Sequence, residues 1–284
     1  MRVAAVQMNV GERKGDNVAL ALRSIDEAAA RGARLIVLPE LMTYHGSPSR
    51  YREVAEPVLG PTSELLAAKA REHGCFILGG SLVEPGPAQG RYYNSSYVLD
   101  PSGSLCAVYR KVHLFDVTVP GQVEARESDS IEPGDVLVAV ELPEFILGMS
   151  ICFDLRFPEL YRALAAAGAH VLAVPAAFRA ATGKAHWESL VRARAIENHA
   201  YVVAAAQWGI AGGNVSMHGH TMIVDPWGSV LTEIAEGDGA ILAEVDVAEV
   251  KKRRGQIPTL AARRSDVYER PVRMCGSGAR RRAE

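Results

Sequence analysis

The sequence has 284 residues, of which 48% are hydrophobic, and its formal net charge is -2. A chain of this size and composition can bury a large core. The mixed charge argues against a nucleic-acid partner, and no apolar run is long enough to cross a membrane. The first residues enter a predicted strand without a long apolar stretch, so we expect no signal peptide.

The cysteine pattern predicts free thiols rather than a disulfide framework. No two cysteines form a C-x-x-C pair, which indicates a reducing, cytoplasmic compartment. The four residues are Cys75, Cys106, Cys152 and Cys275. Among the eight histidines only His218 and His220 are closely spaced, and no phosphate-loop pattern accompanies the glycine pairs. We therefore expect neither a metal nor a cofactor.

Short apolar strands alternate with helical patterns through the first part of the chain. The predicted strands are residues 3–8, 34–38 and 76–81, and the predicted helices are residues 17–31 and 63–72. This alternation predicts an α/β protein, with either one sheet covered on both faces or two sheets packed together with helices outside.

Two similar hairpins follow, each built around a D-P-x-G turn. Residues 92–99 and 104–111 flank the turn at 100–103, and residues 222–224 and 229–234 flank the turn at 225–228. Such turns are typical of β-hairpins. Their similar surroundings indicate a weak internal repeat, in which two halves each form one sheet and the sheets pack face to face.

The remaining predicted elements lie between the hairpins. They are helices at 158–167 and 184–199 and strands at 170–174 and 201–207. No Ser/Pro-rich linker divides the chain, which favours one domain over residues 1–270. The tail at 271–284 is predicted to be flexible.

Three reactive side chains stand where predicted strands end: Glu40, Lys111 and Cys152. The carboxyl ends of strands in α/β sheets tend to meet at one edge. Each residue also has an ordinary structural interpretation. Cys152 could be a buried small hydrophobe, Glu40 a carboxylate at a helix N-terminus, and Lys111 a charge on an edge strand.

The three side chains together could perform acyl transfer. A thiol is a weak nucleophile until a cation lowers its pKa, and Lys111 could supply that cation. Glu40 could accept the thiol proton and return it to a leaving amine. The ammonium of Lys111 and the backbone N–H of Phe153 could stabilise the negative oxygen of the tetrahedral intermediate.

The segments around these residues resemble the nitrilase, or carbon–nitrogen hydrolase, superfamily. They are RLIVLPE, YRKVHLFD and ICFDLRFPEL, and they occur in the order found in that family. The resemblance implies a four-layer αββα sandwich, a Glu–Lys–Cys triad, a thioester intermediate and a dimer or higher homo-oligomer. It also implies that Glu127 is a second catalytic glutamate that orients the lysine and the substrate nitrogen. The alternative for Glu127 is an acid on a surface loop.

Within the superfamily the sequence is similar to the omega-amidase and deaminated-glutathione amidase branch. The likeness lies in residues 113–135 and 175–207, and the segment after Gln207 departs from it. It implies that Arg156, Phe178 and Thr182 line the substrate pocket, with Arg156 holding a carboxylate. Alternatively, Arg156 forms an ion pair with Asp154 or Glu159, and Phe178 belongs to the core.

These observations predict a cysteine-dependent amidase that acts on a small primary amide carrying a carboxylate and releases ammonia. Two enzymatic alternatives keep the triad but change the substrate to an N-carbamoyl compound or, less favoured, a nitrile. An alternative from another class is a non-catalytic binding protein with the same fold.

Overall fold

The computed structural model describes residues 1–121 and 123–274. The first part of the chain supplies strands and helices in alternation. The strands are β1 (Arg2–Gln7), β2 (Leu35–Val37), β3 (Phe76–Leu78), β4 (Leu82–Pro85), β5 (Tyr92–Leu99), β6 (Leu105–Arg110), β7 (Asp116–Val119) and β8 (Val123–Arg126). The helices are α1 (Lys14–Ala30), α2 (Tyr51–Val54) and α3 (Pro61–His73).

The second part begins with a strand and ends with helices. Its strands are β9 (Ala139–Glu141), β10 (Ile146–Met149), β11 (Val171–Ala176), β12 (Tyr201–Ala206), β13 (Trp208–Ala211), β14 (Val215–His218), β15 (Thr221–Val224), β16 (Val230–Ile234) and β17 (Gly239–Glu244). Its helices are α4 (Pro158–Ala166), α5 (Ala180–Asn198), α6 (Val247–Gln256) and α7 (Ser265–Tyr268).

Two mixed sheets contain most of these strands. The first has the order β17-β1-β2-β3-β5-β4, with β6 also paired to β5, and the second has the order β16-β15-β12-β11-β10-β9. In each sheet three neighbouring strands run parallel, and the third of them pairs with an antiparallel hairpin. The predicted internal repeat is therefore present in the topology.

The two D-P-x-G turns occupy equivalent places in the two sheets and use the same contacts. Asp100 accepts hydrogen bonds from the N–H groups two and four residues later, at 2.7 and 2.9 Å. Asp225 does the same at 2.9 and 2.8 Å. Gly103 and Gly228 close the turns at φ +78° and +88°, a region that glycine adopts without strain.

Alternate side chains of the first sheet enter two different cores. Val3 and Val37 pack in the cluster that contains the second sheet, whereas Val6 and Ile36 pack in a cluster with residues of α1 and α3. The opposite side of the second sheet is covered by α4 and α5, whose apolar residues belong to the shared core. This is the expected four-layer αββα sandwich. The central parallel strands are buried on both faces, which explains their continuous apolar sequences.

Three of the differences between the structure and the sequence expectations concern the order of the sheets and the ends of elements near the site. Strand β17 comes from the end of the second half but pairs with β1, so the second half contributes one strand to the first sheet. Helix α5 begins at Ala180 rather than at 184. Gly183 lies inside this helix, where only glycine fits because a Cβ would meet the ring of His218. Strand β3 ends at Leu78, three residues early.

The C-terminal tail is only partly described. Residues 271–274 are exposed and lie outside helices and strands, and the rest of the tail predicted to be flexible, together with Cys275, lies outside the described residues. Within the described ranges, no helix has the length and apolar character required to cross a membrane.

Candidate active site

A sharp turn after β10 presents Cys152. The residue has φ +44°, an uncommon conformation for a side chain with a Cβ. The turn is held by Asp154, whose Oδ2 accepts a hydrogen bond from the Ile151 N–H at 2.8 Å. A 3-10 turn (Cys152–Arg156) follows and leads into α4. The thiol is 6% exposed and borders a cavity.

Glu40 follows β2 and is held by groups from both sheets. Its Oε1 accepts hydrogen bonds from Lys111 Nζ at 2.8 Å and Asn94 Nδ2 at 2.9 Å. Its Oε2 accepts the Ala177 N–H at 2.8 Å, and its backbone carbonyl accepts Gln207 Nε2 at 2.7 Å. The carboxylate is therefore fixed in a single orientation. It caps no helix, so the helix-terminus interpretation of Glu40 is wrong.

Lys111 follows β6 and bridges two carboxylates. Its Nζ lies 2.8 Å from Glu40 Oε1 and 2.8 Å from Glu127 Oε2. The side chain is only 2% exposed, which rules out the interpretation as a solvated edge-strand charge. Burial alone would lower the pKa of the ammonium, but the charges of Glu127 and Glu40 outweigh it and raise that pKa well above 10.5.

Glu127 faces the pocket rather than solvent. Besides Lys111, it accepts the Phe115 N–H at 2.7 Å and Asn94 Nδ2 at 3.2 Å. Its side chain is 14% exposed. The alternative of a surface-loop acid is therefore wrong. Because one amide group of Asn94 reaches both glutamates, the two carboxylates are held in a fixed mutual arrangement.

The thiol of Cys152 and the carboxylate of Glu40 each change the pKa of the other. Burial and then the Glu40 charge raise the pKa of Cys152, and together they exceed the lowering by Lys111. Burial would raise the pKa of Glu40, but the charge and hydrogen bond of Lys111 lower it overall, helped by Cys152 and the Ala177 N–H. The resting pair is a neutral thiol beside a carboxylate. The charge of Lys111 does lower the pKa of the thiol, as expected, but burial and the Glu40 charge outweigh it, so the pKa is raised overall.

A cavity of about 230 Å³ opens beside Cys152. The four residues predicted to contact the intermediate or the substrate all line it: Phe153, Arg156, Phe178 and Thr182. The backbone N–H of Phe153 donates to no acceptor among the described residues, so it is free to face a ligand oxygen.

Arg156 points along the cavity wall. Its guanidinium lies 4.9 Å from the centroid of the Phe178 ring and 5.7 Å from that of Phe153. Its Nη1 lies 3.2 Å from Nδ1 of the exposed His186. Within the described ranges it forms no ion pair with Asp154 or Glu159, so the ion-pair alternative is wrong. Phe178 is 4% exposed and also packs on Trp187, so it belongs to both the core and the cavity wall.

Three further residues belong to the site although the sequence analysis did not single them out. Asn94 joins Glu40 to Glu127, Asp154 fixes the cysteine turn, and Arg179 lines the cavity. The hairpin pattern was a usable signal for Asn94, because pairing of β5 with β6 brings it opposite Lys111, whose N–H donates to the Asn94 carbonyl at 2.9 Å. Trp208, in the divergent segment, does not line the cavity.

A metal site has little support in the described residues. One group among these residues has ligand atoms close enough together to hold a metal ion, and it consists of Asp26, Glu72 and His73. Lys69 already forms ion pairs with Asp26 at 2.8 Å and Glu72 at 2.9 Å, so an ammonium occupies that place. His220 pairs with Glu233, and its ring stacks on that of His218.

Comparisons with known proteins identify the family of this chain. Residues 2–254 match the family described as "Carbon-nitrogen hydrolase". The chain is 36% identical to human omega-amidase NIT2 over 267 residues, covering 94% of this chain and 96% of that protein. It is 41% identical to the deaminated glutathione amidase of Bos taurus over 271 residues, covering 94% of this chain and 83% of that protein.

A solved structure shows the same fold. The C. elegans NitFhit protein superposes with a TM-score of 0.88 at 36% identity, covering 94% of this chain, and this chain spans 66% of that protein's length. The chain belongs to the carbon–nitrogen hydrolase family, and it is a hydrolase of the amidase type that acts on non-peptide carbon–nitrogen bonds.

Proposed function

We propose that Cys152 is the nucleophile of an amidase that hydrolyses a small carboxylate-bearing primary amide and releases ammonia. The observation that carries the proposal is the meeting of a thiol, a fixed carboxylate and a buried ammonium around one cavity, which is also lined by the guanidinium of Arg156. The substrate class draws on the relatives named omega-amidase and deaminated glutathione amidase.

Acylation begins from the neutral thiol. Glu40 accepts the proton of Cys152 as the sulfur attacks the amide carbon. The substrate oxygen becomes negative and is stabilised by Lys111 and the Phe153 N–H, donors whose loss typically costs about 3 to 4 kcal/mol each in the barrier. Glu40 then returns the proton to the amide nitrogen, the carbon–nitrogen bond breaks, and ammonia leaves a thioester on Cys152.

Deacylation uses the same groups in reverse roles. Glu40 accepts a proton from water, and the water oxygen attacks the thioester carbon. The tetrahedral intermediate collapses with cleavage of the carbon–sulfur bond, and Glu40 returns the proton to the sulfur. The carboxylic acid leaves, and the neutral thiol and the carboxylate are restored.

The remaining residues position the reactants. Glu127 orients the Lys111 ammonium and accepts a hydrogen bond from the substrate nitrogen. Arg156 binds the substrate carboxylate, since a guanidinium can donate two parallel hydrogen bonds to it. Phe178 and Thr182 bound the chain between the carboxylate and the amide. The volume of about 230 Å³ fits a short aliphatic substrate.

Cys152→Ala tests the nucleophile. We expect ammonia release from glutaramate and 2-oxoglutaramate to fall by at least about 10⁴-fold. Cys106→Ala is the matched control, because Cys106 is an exposed thiol outside the cavity. If Cys152→Ala released ammonia as fast as the wild-type enzyme, the proposal would be refuted.

The same assay separates the alternative substrates. A preference for N-carbamoyl compounds would release carbon dioxide with ammonia, and a preference for nitriles would consume two water molecules per ammonia. If no compound is hydrolysed and iodoacetamide labels Cys152 no faster than Cys75, the protein is a binding protein with this fold.

We also propose that the chain forms a homodimer or higher homo-oligomer in the cytoplasm. Exposed apolar side chains support self-association: Ile196 and Trp227 are 46% and 50% exposed, and both flank the turn at Gly228. The unpaired Cys75 and Cys106 are compatible with a reducing compartment. Size-exclusion chromatography with light scattering tests the assembly, and a monomeric mass at micromolar concentration would contradict it.

A further inference from the structure

The turn that presents Cys152 needs support from outside itself. Cys152 has φ +44°, a conformation that costs a residue with a Cβ about 1 to 3 kcal/mol and persists only when neighbouring groups hold it. The 3-10 turn carries three groups of the proposed mechanism, which are the thiol of Cys152, the backbone N–H of Phe153 and the guanidinium of Arg156. The contacts that hold this turn therefore set the positions of all three.

The side chain of His113 contacts the turn at two points. Its Nδ1 lies 2.8 Å from Oδ1 of Asp154, in the middle of the turn. Because a carboxylate can only accept, Nδ1 is the donor. The imidazole ring also stacks on the ring of Phe157, directly after the turn, with 3.6 Å between the centroids and 7° between the planes. One side chain thus holds the middle of the turn by a hydrogen bond and its end by stacking.

The hydrogen bond supports the cysteine end of the turn. Asp154 is fully buried, and its Oδ2 accepts the backbone N–H of Ile151, the residue before Cys152, at 2.8 Å. Without the imidazole, Oδ1 would keep the backbone N–H of His113 at 3.0 Å, and the carboxylate could tilt away from Ile151. Since His113 lies two residues after Lys111, this contact fixes the backbone of the thiol relative to the ammonium.

The stacked ring supports the arginine end of the turn. Phe157 follows Arg156, and the Phe157 N–H donates to the Asp154 carbonyl at 2.9 Å. The Phe157 ring also packs edge-on against Phe153, with 5.5 Å between the centroids, and the guanidinium of Arg156 lies 5.7 Å from the centroid of the same ring. Loss of the imidazole would uncover one face of Phe157, and Arg156 would lose its fixed direction.

We propose, resting on the amidase function above, that His113 is a positioning residue with two separable effects on the reaction. Its Nδ1–H aligns the thiol of Cys152 through Asp154, and its ring aligns the guanidinium of Arg156 through Phe157. The side chain is 28% exposed and lies outside the cavity lining, so it acts on the substrate through these neighbours.

Two substitutions separate the two effects. His113→Phe keeps a ring over Phe157 but removes the donor. With glutaramate it should lower kcat about 30-fold and change KM by less than about threefold, because a misplacement of about 1 Å between reacting groups costs up to about 100-fold. His113→Asn keeps an N–H donor near the place of Nδ1 but removes the ring. It should raise KM about tenfold and change kcat by less than about threefold, since the bound carboxylate loses a fixed partner.

Pentanamide, which has the same chain without the carboxylate, sharpens the separation. Its kcat/KM should fall in His113→Phe but stay within about threefold of wild type in His113→Asn. His73→Phe is the matched control, because the ring of His73 also pairs with a carboxylate, that of Asp26, and is 22% exposed, whereas both residues lie on the outer helices α1 and α3. It should change neither kcat nor KM.

Any other division of the effects between kcat and KM would overturn the inference. It would also fall if the unfolded fraction at the assay temperature, measured by circular dichroism, accounted for the whole loss of kcat in His113→Phe. Should His113→Phe not fold, His113→Asn alone decides, because the inference requires its KM for glutaramate, and not its kcat, to change.

Alkylation of Cys152 by iodoacetamide separates this inference from the proposed function, because it requires no turnover. Glu40 accepts the thiol proton in this reaction too, so alkylation should be at least about tenfold slower in His113→Phe and unchanged in His113→Asn and His73→Phe. If the wild-type protein hydrolyses no amide but the variants show this order of rates, the amidase proposal fails while the positioning of the thiol by His113 stands. Equal rates in all four proteins would remove that role.

Discussion

Asp154 lies between the two halves of the site, and its replacement by asparagine should cost both stability and activity. The carboxylate is fully buried. Its Oδ2 accepts the Ile151 N–H at 2.8 Å and the Tyr109 hydroxyl at 2.6 Å. Its Oδ1 accepts the backbone N–H and Nδ1 of His113 at 3.0 and 2.8 Å. One side chain therefore connects the turn of Cys152 to the strand end that carries Lys111.

The size of the effect follows from the donors. Asparagine has one acceptor oxygen, so either Ile151 or His113 loses the acceptor for its backbone N–H and faces an N–H₂ group instead. Losing a hydrogen bond to a charged group costs about 1.5 to 3 kcal/mol, and a buried donor without a partner costs about 1 to 3 kcal/mol. We expect Asp154→Asn to lower the free energy of unfolding by about 3 to 5 kcal/mol, as for other broken buried polar pairs.

Urea unfolding and steady-state kinetics measure the two consequences. A displacement of the thiol by about 1 Å is enough to lower kcat/KM about 100-fold. Asp225→Asn is the matched control, because both backbone donors to Asp225 reach the same oxygen, which asparagine retains. A free energy of unfolding for Asp154→Asn within about 1 kcal/mol of wild type would refute the reasoning.

Three other substitutions probe separate features. Asn94→Leu removes the amide donor to both glutamates, so the pKa of Glu40 should rise and the acid limb of the kcat/KM profile should move to higher pH. Burial alone would raise the pKa of Glu84, but hydrogen bonds led by that of Arg110 lower this pKa below 4.5. Glu84→Gln should therefore destabilise the protein above pH 4.5, and the loss of stability should shrink as the pH falls through the lowered pKa. Gly212→Ala should lower Tm, because its Cβ would lie 2.0 Å from a backbone carbonyl oxygen.

Each of these predictions has an outcome that contradicts it. An unchanged acid limb in Asn94→Leu would mean that the amide does not support the carboxylate. A stability deficit of Glu84→Gln that stays constant down to pH 3 would exclude the charged pair as its source. For Gly212→Ala, the control is Gly15→Ala, whose Cβ meets open space, and equal Tm values for the two variants would exclude the steric argument.

The sequence could predict the fold because its strongest signals are local. Two D-P-x-G turns mark hairpins that the structure contains, and continuous apolar strands predict sheets covered on both faces. It could not predict that β17 pairs with β1, since that contact joins residues more than 230 positions apart and depends on how the chain returns after the second sheet.

For the site, sequence position predicted which side chains meet but not how their charges balance. Glu40, Lys111 and Cys152 stand at strand ends, and strand ends converge. The hairpin pattern brings Asn94 close to Lys111, but their exact pairing depends on a bulge at residues 98 and 99 that shifts the register of the hairpin, and the sequence does not reveal that bulge. The raised pKa of the thiol results from burial and from a carboxylate whose distance only the folded chain defines.

The packing of one sheet on the other sets the geometry of the candidate site. Glu40 and Lys111 follow strands of the first sheet, whereas Cys152 follows a strand of the second. The groups that hold Glu40 from the other side, Ala177 and Gln207, each follow the last residue of a strand parallel to the one before Cys152. A small shift between the sheets would therefore move the carboxylate away from these donors and from the sulfur together. The close-packed core between the sheets is thus a condition for the proposed proton transfer as well as for stability.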